Sequence, residues 1–274
     1  MPTLHRLNAL QNELREVLRM DTADYQLEVD EEGVHAQFIG MHLRSVFQPI
    51  FNLASGSRAG FEGLIRASDQ KGDMVAPPLA FTRAEISGDL IKLDRLCRTL
   101  HTLNYLNMGN SNGLLFLNVH PALLVAVNSH GKVFERVLHN YALPTSGVVI
   151  EINESAVSQG ELLGKAIANY RERGYQIAID NFGRDHVNLD RLWALSPQYV
   201  KLDGSLIRRA EADERLRRSL SGLVAIIHEL GAEVIVENVE TENQLELTRV
   251  AGADLVQGYF LGSPDAAMSW DTSA

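Results

Sequence analysis

Seven apolar runs in this chain end in residues that can hold or move charge. These ends carry Glu62; Asn118; Glu151, followed by Glu154; Asp180 with Asn181; Lys201 with Asp203; Glu237 with Glu240; and Gln257. An apolar run that stops abruptly on a polar residue reads as a buried parallel strand delivering a side chain to its own end. Carboxylates and amides, with no sulfur and no obvious histidine among them, are oxygen donors. That set suits hard divalent cations such as Mg²⁺ or Mn²⁺ rather than zinc. Several carboxylates gathered in one buried place repel one another and take up protons unless a metal or a lysine balances them, and Lys201 supplies one such charge. Each residue alone has a plainer reading. An acid after a strand is often a helix N-cap, Asn118 can close a turn, and Lys201 with Asp203 can be a solvated pair. Their recurrence at nearly every strand end is what points to a site.

Positioning seven such ends requires a repeating scaffold, and the hydrophobic pattern supplies one. Apolar runs occur at Ser45–Leu53, Gly60–Ala67, Leu114–His120, Gly147–Ile152, Gln176–Phe182, Tyr199–Asp203, Glu233–Val239 and Leu255–Phe260. Helical patterns fall between most of them, at Leu79–Leu106, Ala122–Tyr141, Gln159–Arg173, Leu189–Leu195, Ser205–Gly231 and Thr241–Ala251. Strand–helix alternation of this kind implies βα units and a parallel sheet. Eight strands in one unit of this length favour a closed (β/α)₈ barrel, whose site lies at the strand C-termini. The first junction is the exception. Only Ala54–Ala59 separates strands one and two, too short for a parallel crossover, so the expected fold is a modified TIM-like barrel with an antiparallel first strand.

Ahead of the barrel, expected over residues 45–265, lie about 44 residues of different character, and a short tail covers 266–274. Leu4, Leu7, Leu10, Leu14, Val17 and Leu18 recur at helical spacing, predicting an amphipathic helix over residues 4–20. Tyr25–Val29 and Val34–Phe38 flank Asp30-Glu31-Glu32-Gly33 and predict a hairpin. This extension is read as a packed lid or as a docking point for a protein partner.

Of the 274 residues, 45% are hydrophobic and 22% charged, a soluble globular composition. The net charge of −10 argues against a nucleic-acid partner, while leaving room for a small anion at a locally positive site. One cysteine, Cys97, excludes a disulfide framework and fits a reducing compartment, with the cytoplasm as the expected location. Met1–Arg6 lacks the signature of a signal peptide, and no apolar stretch approaches the ~18 residues needed to span a membrane, so no membrane insertion is expected. The nine histidines include no HExxH pattern and no paired helical spacing, and read as surface or core residues.

The polar strand ends sit in motifs that resemble the EAL-domain family, bacterial phosphodiesterases and receptors for cyclic di-GMP. The matching stretches are Phe47-Gln48-Pro49-Ile50, Glu62-Gly63-Leu64-Ile65-Arg66, Leu117-Asn118-Val119 and Glu151-Ile152-Asn153-Glu154. Asp180-Asn181-Phe182-Gly183, Val200-Lys201-Leu202-Asp203, Glu237-Asn238-Val239-Glu240 and Gln257-Gly258-Tyr259-Phe260, with Pro264 beyond, complete the series. The resemblance implies that Glu62, Asn118, Glu151 and Asp180 hold one Mg²⁺ or Mn²⁺. Asp180, Asn181 and Glu237 would then hold a second. It implies that Lys201 holds the attacking water, so that Lys201, Glu237 and Glu154 form the catalytic group, Glu154 by anchoring the loop after Asp180. Leu64 and Arg66 would meet the substrate phosphate, Gln48 and Pro264 the guanine, and Asp203 and Gln257 would complete the substrate side. A homodimer is implied as well.

Three departures bear on activity. The signature Glu-Ala-Leu is Glu62-Gly63-Leu64 here, and a glycine of the family's Glu-Gly-Val-Glu is Asn238. The second acid of the family's Asp-Asp pair is Asn181, whose amide oxygen can ligate a hard cation but brings no negative charge. Two readings therefore stand side by side: a cyclic di-GMP phosphodiesterase with reduced activity, and a degenerate receptor or interaction module.

Overall fold

The computed structural model describes residues 25–108, 113–126, 132–140, 143–153, 160–184 and 188–270. The expected helix over residues 4–20 and the tail after residue 270 lie outside the described residues.

The hairpin expected before the barrel is present. Strands β1 (Tyr25–Asp30) and β2 (Gly33–Phe38) pair antiparallel, and β2 goes on to pair with Met41–Leu43 of β3 (Met41–Asn52). β3 turns directly into β4 (Arg58–Asp69), and the two run antiparallel along almost their whole length, as the short connection requires. A two-residue β5 (Met74–Val75) edges the far end of β4. The remaining strands are β6 (Leu114–Asn118), β7 (Val148–Asn153), β8 (Gln176–Phe182), β9 (Tyr199–Leu202), β10 (Glu233–Val236) and β11 (Leu255–Val256). From β4 through β6 to β11 each pairs parallel with the next, and β11 pairs antiparallel with Phe51 and Asn52 of β3. The result is a closed eight-stranded α/β barrel in which one strand runs against the other seven.

Helices pack outside the barrel. The pattern over Leu79–Leu106 resolves into α1 (Pro77–Ser87) and α2 (Leu90–Leu106), broken at Gly88-Asp89. α3 (Pro121–Ala126) and α4 (Lys132–Asn140) follow β6, and α5 (Gly160–Glu172) follows β7. After β8 comes α6 (Leu189–Leu195), capped by the Asn188 side chain. The long pattern over Ser205–Gly231 is likewise two helices, α7 (Gly204–Ala212) and α8 (Glu214–Glu229). Asp213 interrupts them, its side chain accepting from Arg215 and Leu216 backbone N–H groups. An apolar repeat continues through a capping residue without interruption, so periodicity alone merges such pairs. α9 (Glu242–Ala251), capped by Thr241, precedes β11. Among the described residues, no helix is long and apolar enough to cross a membrane.

The barrel interior explains where the polar ends arrive. Ile50, Phe116, Val149, Ala178, Tyr199, Ile235 and Leu255, one from each of seven strands, pack into a single buried cluster. Strand side chains alternate with a period of two, so the next inward position along each parallel strand lies one layer higher. Those positions are Asn118, Glu151, Asp180, Lys201, Glu237 and Gln257. β3 runs the other way, and its inward residue on the same side of Ile50 is Gln48, which faces Glu62 across the β3–β4 ladder. An apolar plug thus forms the floor on which the polar layer stands.

Candidate active site

Lys201 is the centre of the polar layer and is completely buried. Its Nζ lies 2.7 Å from Glu151 Oε1, 2.9 Å from Glu237 Oε1, 3.0 Å from Glu62 Oε2 and 3.8 Å from Asp180 Oδ1. Glu62 is fixed from two further sides: Asn118 Nδ2 donates to its Oε1 at 2.9 Å, and Gln257 Nε2 to its Oε2 at 2.9 Å. Gln257 also approaches Gln48 Oε1 at 3.2 Å, and Gln48 Nε2 donates to the Gly262 carbonyl at 3.2 Å. Backbone pairing between Phe47 and Asp265 pins the segment carrying half-buried Pro264 beside Gln48.

One lysine among four acids leaves net negative charge in a buried place, and the proton affinities follow. Burial works against the charge on Glu62, yet Lys201, Gln257 and Asn118 hold its carboxyl below the ordinary range. Burial, reinforced by the charges of Glu62 and Asp180, pushes Glu151 well above that range despite Lys201. Asp180 is raised by burial and by Glu62, against the pull of Lys201. Glu237 is raised by burial, and further by Asp180 and Glu62, to about 8. Burial lowers the lysine's hold on its proton, but the surrounding carboxylates outweigh it, so Lys201 is raised well above its ordinary value.

The donor chemistry fits a divalent cation. Among the described residues, fully buried Glu151 receives no hydrogen bond from a neutral donor, and the Lys201 ammonium 2.7 Å from its Oε1 is what balances it. A buried carboxylate in that condition costs free energy unless a cation approaches it. Glu151, Asp180, Glu62, Asn118 and Glu237 together present the all-oxygen set that hard cations take.

Asp180 and Asn181 stand at an irregularity in the β8–β9 pairing between Ile179 and Phe182. A bulge of this kind re-aims side chains beside a site. Asn181 has φ 58°, a left-handed conformation that asparagine tolerates better than most side chains. Its Nδ2 donates to Asp180 Oδ2, so nitrogen, not oxygen, faces the acid. Asn238, at φ 55°, takes the same left-handed conformation, which asparagine adopts at lower cost than most side chains.

Beside the polar layer opens a cavity of about 560 Å³. Leu64, Arg66, Asn118, Asp180 and Asn181 are among its lining. Phe81 and His120 line it too, their rings stacked with centroids 5.3 Å apart. Arg66 Nη1 donates to the carbonyl of Ile65 at 3.1 Å. Asp203 is brought near but turned elsewhere. Its Oδ1 accepts from the Ser205 N–H at 2.8 Å as the cap of α7, and Oδ2 lies 3.4 Å from Arg184. Glu154 lies outside the described residues.

Sequence reasoning passed over the cavity residues on α2. Asp94, Arg98 and His101 are buried and line the space, Arg98 pairing with Asp94 at 2.5 Å while Asp94 accepts from the His120 N–H at 2.9 Å. Three polar residues at spacings of four and three on one apolar helix face were the available signal.

The model of the family described as EAL domain matches residues 31–264. The chain is similar to the cyclic di-GMP phosphodiesterase NbdA of Pseudomonas aeruginosa, 27% identical over 268 residues that cover 91% of this chain and 32% of that protein. It is similar to the oxygen sensor protein DosP of Escherichia coli, 27% identical over 228 residues, 81% of this chain and 28% of that one. The chain thus spans about a third of the length of these curated relatives. Among solved structures it resembles Bacillus subtilis YkuI in complex with cyclic di-GMP and calcium, at 27% identity and a TM-score of 0.70, covering 82% of this chain and 56% of that one. It also shares the fold of Klebsiella pneumoniae BlrP1 with manganese and cyclic di-GMP, at 21% identity and a TM-score of 0.74, covering 96% and 65%.

Proposed function

The chain belongs to the EAL domain family, and from that membership we propose that it is a divalent-cation-dependent phosphodiesterase that opens cyclic di-GMP to linear pGpG. The observation that carries the proposal is the polar layer itself: Glu62, Glu151, Asp180 and Glu237 gathered within 4 Å of one buried lysine, beside a cavity lined by Arg66. The calcium and manganese complexes of the related proteins support a divalent cation as the cofactor, with Mg²⁺ or Mn²⁺ as our assignment. Bound between these oxygens, two such cations would acidify water and neutralise charge developing on the phosphodiester.

The chain's own residues then divide the work. Glu62, Asn118, Glu151 and Asp180 would hold one cation, and Glu237 with Asp180 and Asn181 the other. Lys201, with no exposed surface, orients the water and keeps a positive charge at the reacting end of the site. Arg66 offers its guanidinium to a phosphate oxygen, and Gln257, itself bonded to Gln48, braces Glu62 rather than reacts. Water adds to phosphorus as one P–O3′ bond breaks, leaving a 5′-phosphate and a 3′-hydroxyl, and a proton passes to the departing oxygen.

A second reading has one specific observation behind it. With an amide at Asn181, its nitrogen bonded to Asp180 in the cation-free site, the second cation loses a full negative charge, which favours a receptor that binds without cleaving. Incubation with cyclic di-GMP and Mn²⁺, following binding and pGpG together, separates the two. Tight binding without pGpG at high Mn²⁺ would sink the enzyme, and absence of binding would sink both. Asn181→Asp is expected to raise turnover at least about tenfold and to lower the Mn²⁺ needed for half-maximal rate, because a full charge returns to the second cation. An unchanged Mn²⁺ requirement would count against that assignment.

We place a homodimer contact on α6, where Trp193 is 72% exposed and Leu189 36%. Trp193→Glu should convert a dimer to monomers in sedimentation, and an unchanged mass would remove α6 from the interface.

A further inference from the structure

On the outer face of the hairpin, far in sequence from the barrel acids, three side chains converge that the enzyme chemistry leaves unused. Glu28 stands directly opposite His35 in the β1–β2 ladder, and His42 stands opposite Gln37, two residues along β2 from His35. Directly opposed residues share a face, and so do residues two apart on a strand, so Glu28, His35 and His42 project together. One ligand atom from each lies within 4.8 Å of the other two. The imidazole centroids are 6.0 Å apart and tilted by 31°, and His35 Nε2 lies 3.1 Å from Glu28 Oε2.

The surroundings of His35 make this more than a polar patch. The residue is only 5% exposed, and among the described residues its Nδ1 has no hydrogen-bond partner; a carboxylate oxygen, Asp30 Oδ2, is 3.7 Å away. A neutral ring that donates from Nε2 to Glu28 leaves a buried nitrogen lone pair unsatisfied, and a protonated ring leaves a buried N–H unsatisfied. A cation on Nε2 removes the first of these defects: the ring proton then resides on Nδ1, on the side of Asp30 Oδ2 3.7 Å away. That carboxylate–histidine–metal arrangement is the usual outer shell of histidine ligands. Asp30 is itself held by Arg44 at 2.6 Å, and the spare oxygen of Glu28 accepts from Gln37 Nε2 at 2.8 Å, so both carboxylates are oriented before any ion arrives.

We infer that Glu28, His35 and His42 form a binding site for a zinc-class transition-metal ion, with water as fourth ligand. Two imidazoles and one carboxylate select such ions over Mg²⁺ or Ca²⁺, which take oxygen ligands. The site is distinct from the barrel's oxygen donors and stands whether or not the phosphodiesterase reading holds. An ion there ties β1 and β2 to β3, the strand that continues to Gln48.

Co²⁺ serves as the spectroscopic probe on the full chain, and Zn²⁺ as its competitor. The expected result is one equivalent of Co²⁺ with the strong visible bands of four-coordinate nitrogen–oxygen ligation, bleached by Zn²⁺ and undisturbed by excess Mg²⁺. Asp180→Ala, which disables the barrel site, should keep those bands. His42→Ala should lose them, and Asp30→Asn should weaken Co²⁺ about 10- to 100-fold, the range for removing an outer-shell partner. If His42→Ala fails its circular-dichroism check, Glu28→Gln is read in its place. Absence of four-coordinate bands in the parent chain, or their survival in the folded ligand variant, overturns the site.

Discussion

Lys201→Met should leave a chain that folds weakly without metal and hydrolyses little with it. Methionine fills nearly the same space, so the loss is of charge rather than of volume. What remains is Glu62, Glu151, Asp180 and Glu237 around an apolar end, with no cation among them. Removing one partner of a buried ion cluster costs about 3–5 kcal/mol, measurable as a lower unfolding free energy in urea with EDTA. Turnover should fall roughly 10²- to 10⁴-fold, the range for losing a group that positions and polarises the reacting water. Undiminished stability in EDTA would mean that Lys201 does not balance the acids.

The same cluster sets a pH dependence for the parent chain in EDTA. Glu151, Asp180 and Glu237 are all raised in the folded state, so the stability linked to them is present in acid and is lost as pH climbs through their folded values, about 8 for Glu237. Glu62, held low, gives stability above the ordinary carboxylate range that is lost only as pH falls below it. Lys201, raised, contributes evenly below its unfolded value near ~10.4 and does not alter the slope between pH 5 and 8. Stability in EDTA should therefore decline from about pH 5 to about 8. Mn²⁺ should flatten that decline, because it occupies the carboxylates in place of protons.

Gly63→Ala restores the family's signature tripeptide, and it should damage the protein. A Cβ at residue 63 would stand 2.8 Å from His101 Cγ and 3.0 Å from His101 Cβ, atoms close to the α2 backbone that cannot swing aside. His101 is buried, its Nδ1 bonded to Ser45 Oγ at 2.8 Å and its ring set edge-on to Phe47 at 6.3 Å. The extra methyl must therefore push either the helix or the strand that carries Glu62. Overpacking of this kind costs about 1–3 kcal/mol. A displacement at Glu62 would also loosen its bonds from Asn118, Gln257 and Lys201 together. Turnover should fall tenfold or more, with Gly63→Ala/His101→Ala recovering much of it despite removing a second side chain. Additive losses in that cycle would separate the two residues.

The strand ends were legible because a parallel barrel imposes a simple rule: apolar below, polar at the top, two residues apart. Glu151 after Val149 and Lys201 after Tyr199 obey it, and so do their neighbours. The antiparallel first strand was equally readable, since six residues between Leu53 and Gly60 admit no crossover. Helix boundaries were not. Asp213 caps one helix by its side chain while ending another, and a capping acid looks like any surface acid in a periodic pattern. Nor was His101 legible, because the space it fills exists only where α2 crosses β4. Asn181 was read as a change of charge, but its φ of 58° and the direction of its amide come from the bulge in β8. Glu28, His35 and His42 escaped notice because their proximity is set by cross-strand register rather than by spacing along one element.

The closure between β3 and β11 carries a consequence for how the molecule assembles. β3 meets β4 across a tight turn and can form early, whereas its other neighbour arrives only with Leu255 and Val256, about 200 residues downstream. Just two residue pairs join that seam, so the entropy of closing so long a loop is met by little local pairing. Gln48 already faces Glu62 across the β3–β4 ladder, but Gln257 lies on the other side of the seam and reaches Gln48 and Glu62 only when it shuts. The acids of the other strands can therefore be in place in a nascent, open sheet while Glu62 still lacks its brace. The contact that ties the first strand of the ring to the last, Gln257 to Gln48 and Glu62, thus forms only with closure of the ring.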